Sequence, residues 1–360
     1  MPLTPSRLAL ARKRKGLTLT RLAKLSGVSS RSLSDYENGR TTPTPQTVEA
    51  LAAALEVRLG FLYASELEDI PVDRVSFRAL TKMTASQRDS ALAAARIAVL
   101  INEWVERRFK LPPPDLPTLT GQRPETAARD LRGIWGLGES PISNIVHLLE
   151  AHGVRVFSLP HSCREIDAFA FFWCRQPFVL LNTTKSGERG RFDGSHELGH
   201  LVLHSEYEIP HGREAERDAD RFASAFLMPP AAVRAKRLHN ASVDRILLTK
   251  KQWGVSAMAL NYRLNELGML TEWGHRANAS NLSRMGYRRG EPEGIPRESS
   301  QLLSKVFRQL GPGRTTIADL AGDLDLTIDE LNHYVFGLVT TAIRGGGQTT
   351  PQRTDLRVVN

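Results

Sequence analysis

The stretch Ser195-His196-Glu197-Leu198-Gly199-His200-Leu201-Val202-Leu203-His204 constrains this chain more than any other. It sets H-E-x-x-H in an apolar, helix-compatible run. Residues four apart on an α-helix share one face, about 6 Å apart along the axis. His196 and His200 can therefore aim ring nitrogens at one Zn²⁺. Glu197 then points beside the ion, where it can take a proton from a water attacking a carbonyl. The pattern suits metal-assisted hydrolysis of a peptide bond. The bland alternative is a partly buried helix carrying two hydrogen-bonded histidines. The run Pro177-Phe178-Val179-Leu180-Leu181-Asn182, which reads as a strand just before the helix, weighs against that alternative.

A hydrolytic zinc site takes three protein ligands and keeps a fourth position open. The next helical stretch, residues 214–230, buries Ala219, Phe222, Ala223 and Phe226 by its periodicity, and Pro229 ends it. Glu216 shares that inward face and is the expected third ligand. Glu214 and Asp218 are turned away from it and are the weaker choices. Asp220, one turn further on, can hydrogen-bond a ligand histidine and fix its tautomer. His204 repeats the four-residue spacing, but eight residues span about 12 Å, too far to share a metal with His196. It reads as a core histidine or a partner to a ligand histidine.

These residues carry a resemblance. Arg189-x-Arg191-Phe192-x-x-x-His196-Glu197-Leu198-Gly199-His200-Leu201-Val202-Leu203-His204 is followed by Glu216-x-x-Ala219-x-x-Phe222-Ala223-x-x-Phe226-Leu227-Met228-Pro229. Together the two blocks resemble the ImmA/IrrE family of metallopeptidases, over roughly residues 120–270. The resemblance implies a gluzincin-like fold, a Zn²⁺ cofactor, and a glutamate ligand that falls on Glu216. It also implies a link to a helix-turn-helix repressor that is cleaved or inactivated under stress.

Charge marks a second region. Of the formal net charge of +9, residues 1–60 hold a surplus of six, ten basic against four acidic residues. A small basic domain suits a polyanion partner. Residues 5–15 read as a basic helix stopped by Gly16. Thr18 caps a second helix that ends at the Gly27 turn. Ser29 caps a third, and Pro45 opens a fourth. Helix, glycine turn, helix is the helix-turn-helix plan. The pieces Leu22-Ala23-x-x-Ser26-Gly27-Val28-Ser29 and Tyr36-Glu37-Asn38-Gly39-Arg40-x-x-Pro43 resemble the Xre/Cro-type repressor family. In that plan Ser30, Arg31 and Ser34 face bases, while Arg12, Arg14, Lys15 and Arg40 meet phosphates. Leu19 stands where many relatives carry a DNA-contacting Gln, which points to reduced affinity. A helix-turn-helix used only for protein contacts is the competing reading.

The rest of the chain supplies connections. Residues 64–83 read as a linker. Thr84-Ala85-Ser86-Gln87 is a capping box that starts a long amphipathic helix running to about Arg108, a candidate for interdomain packing or dimer formation. Residues 124–152 give two helices, and strands follow near Val154–Phe157, Asp167–Trp173 and Phe178–Asn182. A small sheet beside the metal helix can bind an extended substrate along its edge. Residues 240–268 read as helices and 272–295 as a polar, flexible loop. Residues 315–338 form a second helix-turn-helix-like unit whose second helix begins with Asp329 and Glu330, so phosphate repulsion argues against DNA binding there.

The expected fold is multidomain: an all-α helix-turn-helix domain, an α+β zincin-like (gluzincin-like) metallopeptidase domain, and a helical C-terminal region. The expected boundaries are 1–62 for the DNA-binding domain, 63–119 for the linker and long helix, 120–235 for the peptidase domain, 236–345 for the helical region and 346–360 for a disordered tail. Cys163 and Cys174 fit no disulfide framework or zinc spacing. No signal-peptide core or membrane span is apparent, so a cytoplasmic protein with no membrane partner is expected. The expected partners are duplex DNA and a protein substrate such as a repressor. Two other functions compete with a working peptidase: a transcription factor whose peptidase fold is only a sensor, and a prophage or toxin–antitoxin repressor component.

Overall fold

The computed structural model describes residues 2–76, 83–204, 212–288, 290–310 and 315–337. The tail at 346–360 lies outside the described residues, as does the end of the C-terminal region from 338. The described chain is helix-rich, with one small mixed sheet, and multidomain.

The N-terminal bundle comprises α1 (Pro5–Arg14), α2 (Leu19–Ser26), α3 (Ser30–Glu37), α4 (Pro45–Leu55) and α5 (Leu59–Tyr63). Its punctuation is chemical. The Thr18 side chain accepts the Arg21 N–H, and the Ser29 side chain accepts the Ser32 N–H. Between them Gly27 adopts φ 73°, a left-handed conformation that costs a residue without Cβ little. Leu8, Leu22, Leu33 and Leu51 close the core with no exposure; burying one such side chain contributes about 1.5–3 kcal/mol.

A linker with one 3₁₀ turn, Val72–Arg74, leads to α6 (Ala85–Glu106), which begins with the expected capping box of Thr84 and Gln87. Ser86 and Ser90 donate to the backbone carbonyls of Gly16 (2.9 Å) and Lys13 (2.8 Å), tying α6 to the end of α1. The apolar side of α6 is covered within the chain, by the N-terminal bundle and by one face of the sheet.

After α7 (Pro124–Ile134) and α8 (Ile145–Ala151) come β1 (Arg155–Ser158), β2 (Ala168–Trp173) and β3 (Gln176–Leu181), in the order β1-β3-β2. β1 runs parallel to β3, and β2 antiparallel to it, with Phe171 opposite Phe178. The β2–β3 turn is Cys174–Arg175, both at positive φ (49° and 65°), the turn twist that matches paired strands. Alternation divides the sheet. Phe169, Phe171, Phe178 and Leu180 join the core shared with α6 and the N-terminal bundle. Ala168, Ala170, Val179 and Leu181 join a second core with α9 (Gly187–Leu203) and α10 (Arg213–Leu227).

The C-terminal part is α11 (Pro230–Ala235), α12 (Val243–Trp253), α13 (Ala257–Glu266), α14 (Glu272–Arg284), α15 (Gln301–Gln309), α16 (Ile317–Asp323) and α17 (Ile328–Tyr334). α14 corrects the loop expected at 272–295. Its inward face carries His275, Asn278 and Leu282, and its buried polar groups are satisfied: Asn278 donates to the Ala241 carbonyl at 2.9 Å, and Asn261 meets His275. A face closed by hydrogen bonds rather than apolar side chains leaves little hydrophobic periodicity to read. The second helix-turn-helix-like unit, α16–α17, packs on the N-terminal bundle. Its Glu330 pairs with Arg14, and Asp323 accepts from Trp104 and Arg108.

Candidate metal centre and nucleic-acid face

α9 is held rigidly before it reaches the motif. Ser186 caps it by accepting the Arg189 N–H. Arg191, 3% exposed, donates to the carbonyls of Ile142 (2.6 Å), Ser143 and Trp253 and pairs with Glu298. One turn further, His196, Glu197 and His200 are each 1% exposed.

α10 crosses α9 at Gly199, between the two histidines. A Cβ there would lie 3.0 Å from Phe222 Cδ1 and 3.3 Å from Ala219 Cα, so the missing side chain lets the helices close up. That approach brings Glu216 to the histidines. Its Oε2 lies 3.3 Å from His196 Nε2 and its Oε1 3.5 Å from His200 Nε2, while the two Nε2 atoms are 3.1 Å apart. The three groups form the one His/Cys/Asp/Glu cluster with metal-ligand spacing among the described residues. Glu214 is exposed, and Asp218 lies toward Arg221; neither joins the cluster.

The donor set fits zinc. With metal–nitrogen distances near 2.0–2.1 Å, tetrahedral ligand atoms sit about 3.3 Å from one another, which is the spacing of these three. The outer nitrogens of both rings are engaged: His196 Nδ1 with Asp220 Oδ1 at 2.9 Å, and His200 Nδ1 with His204 Nδ1 at 3.1 Å. With the Nδ1 protons on those bonds, two Nε2 lone pairs and a carboxylate converge, an arrangement that a cation relieves. Asp220 and His204 thus each meet the outer nitrogen of one of the two rings.

The electrostatics agree. Burial pushes the His200 ring down to about 4, keeping it neutral as a ligand must be. Burial pushes Glu216 up, but its closeness to the His196 and His200 rings outweighs that and holds the carboxyl well below the usual range. Glu197 is lifted to about 7 by burial, against the opposing pull of His196 and of a hydrogen bond from Ser76. Two cavities flank the centre. One of about 720 Å³ runs past His204, Leu201, Phe172 and Arg175; another of about 980 Å³ reaches Asp220, Arg189 and Tyr262.

No sequence pattern points to Ser76, 121 residues before its partner. Its hydroxyl donates to Glu197 Oε2 at 2.5 Å. It comes from the linker, where Val75 bridges Phe171 on the outer edge of β2.

Comparison with known proteins coincides with this geometry. Residues 149–265 match the family described as the IrrE N-terminal-like domain, and residues 8–62 match the helix-turn-helix family. The chain thus carries a helix-turn-helix domain and an IrrE-like domain. A related curated protein is the HTH-type transcriptional repressor RghR of Bacillus subtilis (strain 168), 37% identical over 98 residues, which are 26% of this chain and 70% of that protein. The similarity covers the helix-turn-helix region. The IrrE-like match reaches into α13.

At the helix-turn-helix face the expected contacts separate. Arg31 is exposed and Ser30 and Ser34 half-buried on α3; Arg40 is exposed beside Asp35. Lys15 lies at the surface against Glu56 at 2.8 Å. Arg12 and Arg14 correct the expectation that they meet phosphates. Arg12 is buried in a two-pronged pair with Glu37 (2.6 and 2.7 Å), and Arg14 is buried against the Leu55 and Glu56 carbonyls and Glu330. Four consecutive basic residues cannot all face outward on a helix. Arg21 and Lys24, exposed on α2, offer cations in their place. Among the described residues no helix is long and apolar enough to cross a membrane.

Proposed function

We propose that this helix-turn-helix regulator carries a working zinc endopeptidase, with a regulatory protein such as a repressor as its substrate. The observation that carries the reading is the convergence of His196, His200 and Glu216 with a buried carboxylate, Glu197, directly beside them. Zinc bound there supplies Lewis-acid polarisation of a peptide carbonyl and acidifies water. Glu197 accepts the proton of the attacking water and passes it to the departing amine. Its burial directly beside the three groups suits it to both halves of that task. Asp220 and His204 hold the rings in register. The edge of β2 aligns an extended substrate. At the other end α3 enters the major groove, with Arg31 reading a base and Lys15, Arg21, Lys24 and Arg40 near phosphates.

A sensor without hydrolysis is the second reading, favoured by the Ser76 hydroxyl seated on Glu197. Glu197→Gln separates the two. It keeps shape and leaves both histidines, so zinc and DNA binding persist. Losing a general base lowers hydrolysis about 10²–10⁴-fold. Under the peptidase reading a cell carrying this variant loses regulation; full regulation by the variant leaves the sensor.

A further inference from the structure

An extended substrate and the linker cannot both occupy the outer edge of β2. Val75, fully buried, pairs antiparallel with Phe171. The Ser76 N–H donates to the Ala170 carbonyl at 2.8 Å, and the Ala170 N–H donates to the Ser76 hydroxyl at 2.7 Å. The single hydroxyl proton lies toward Glu197 at 2.5 Å, closer than the Ala170 carbonyl at 3.2 Å. The hydroxyl thus fills an acceptor position on the carboxylate that an attacking water needs. Backbone pairing on the edge and an O–H on Glu197 are the two contacts expected of a substrate strand and its water.

The segment is tied at both ends to the helix-turn-helix domain. On its N-terminal side Thr4 donates to the Ala64 carbonyl, Arg7 to the Ser65 carbonyl, and Leu67 N–H to Ser6. On its C-terminal side α6 is pinned to the end of α1 by Ser86 and Ser90. A shift of α1 therefore displaces the N-terminal side of the segment that carries Val75 and Ser76.

We propose that Val75 and Ser76 form an internal plug, a strand in cis that holds the peptidase edge and Glu197 closed and yields to a protein substrate when the helix-turn-helix domain moves. The inference rests on the peptidase reading for its consequence but not for its contact, and the test separates them. Three full-length, zinc-loaded proteins are compared: wild type, Ser76→Ala, and a chain with residues 72–76 replaced by five glycines. Each is assayed for hydrolysis of unfolded casein and for binding a fluorescent peptide with the sequence of residues 70–76. The peptide binds the five-glycine chain and not the wild type, whose edge is taken. Hydrolysis rises about tenfold or more in the five-glycine chain, a tenfold change being about 1.4 kcal/mol of lost closure, and less in Ser76→Ala. Peptide binding without hydrolysis in any form keeps the plug and removes the peptidase reading. Equal hydrolysis in all three with no peptide binding overturns the plug and keeps the peptidase. If the five-glycine chain does not fold, Ser76→Ala decides by amide exchange at Ala170. Faster exchange supports the plug; unchanged exchange overturns it.

Discussion

On α3 the candidate DNA-reading side chains stand at the surface, Arg31 exposed and Ser30 and Ser34 half-buried. On α9 the candidate metal-binding and catalytic side chains are 1% exposed, and each is held by a neighbour: His196 by Asp220 of α10, His200 by His204 at the end of α9, and Glu197 by Ser76 of the linker. The first site acts through charges that salt screens and that side-chain motion can adapt. The second acts through geometry set before any ligand arrives. The same residue type behaves differently at each. Arg191 on the metal helix and Arg12 inside the N-terminal bundle are buried struts, whereas Arg31 and Arg40 face solvent.

The largest effect that separates strut from contact is expected from Arg12→Ala. Removing one partner of a buried, two-pronged pair leaves Glu37 uncompensated and costs about 3 kcal/mol or more. Denaturant unfolding of the full chain should show this loss, followed by loss of DNA binding at every salt concentration. Unchanged stability would return Arg12 to the surface.

Next is Asp220→Asn. The substitution weakens the hold on His196 while keeping its shape, and removal of such a partner costs about 10–100-fold in metal affinity. Competition with a zinc chelator reads this directly. DNA binding should not change, and a parallel fall in both would mean that the two sites are coupled through α9.

The smallest effect belongs to Lys15→Ala. Its pair with the exposed Glu56 contributes little, so stability should hold. If Lys15 meets one phosphate, the slope of log affinity against log salt falls by about 1. An unchanged slope removes Lys15 from the interface and leaves Arg21, Lys24 and Arg40 to account for it.

The two sites were not equally legible in the sequence. H-E-x-x-H and its downstream helix are local patterns, so His196, Glu197, His200, Glu216 and Asp220 could be placed by helical spacing alone. The helix caps at Thr18, Ser29 and Thr84 could be read for the same reason. Which residues of the Arg12–Lys15 run point outward depends on Glu37 and Glu330, far along the chain, and spacing within α1 does not reveal those partners. Ser76 is a single hydroxyl whose partner lies 121 residues on and is brought to it by the pairing of Val75 with Phe171. The inward face of α14 uses His275 and Asn278 in place of apolar residues, so composition masks the helix.

The proposed zinc site has three protein ligands, His196, His200 and Glu216. Its most direct test is elemental analysis of the purified full-length protein and of three single variants, Glu214→Ala, Glu216→Ala and Asp218→Ala, after dialysis against a weak chelator. About one zinc per chain is expected in the wild type, Glu214→Ala and Asp218→Ala, and little in Glu216→Ala. Zinc retained in Glu216→Ala and lost in either neighbour would contradict it.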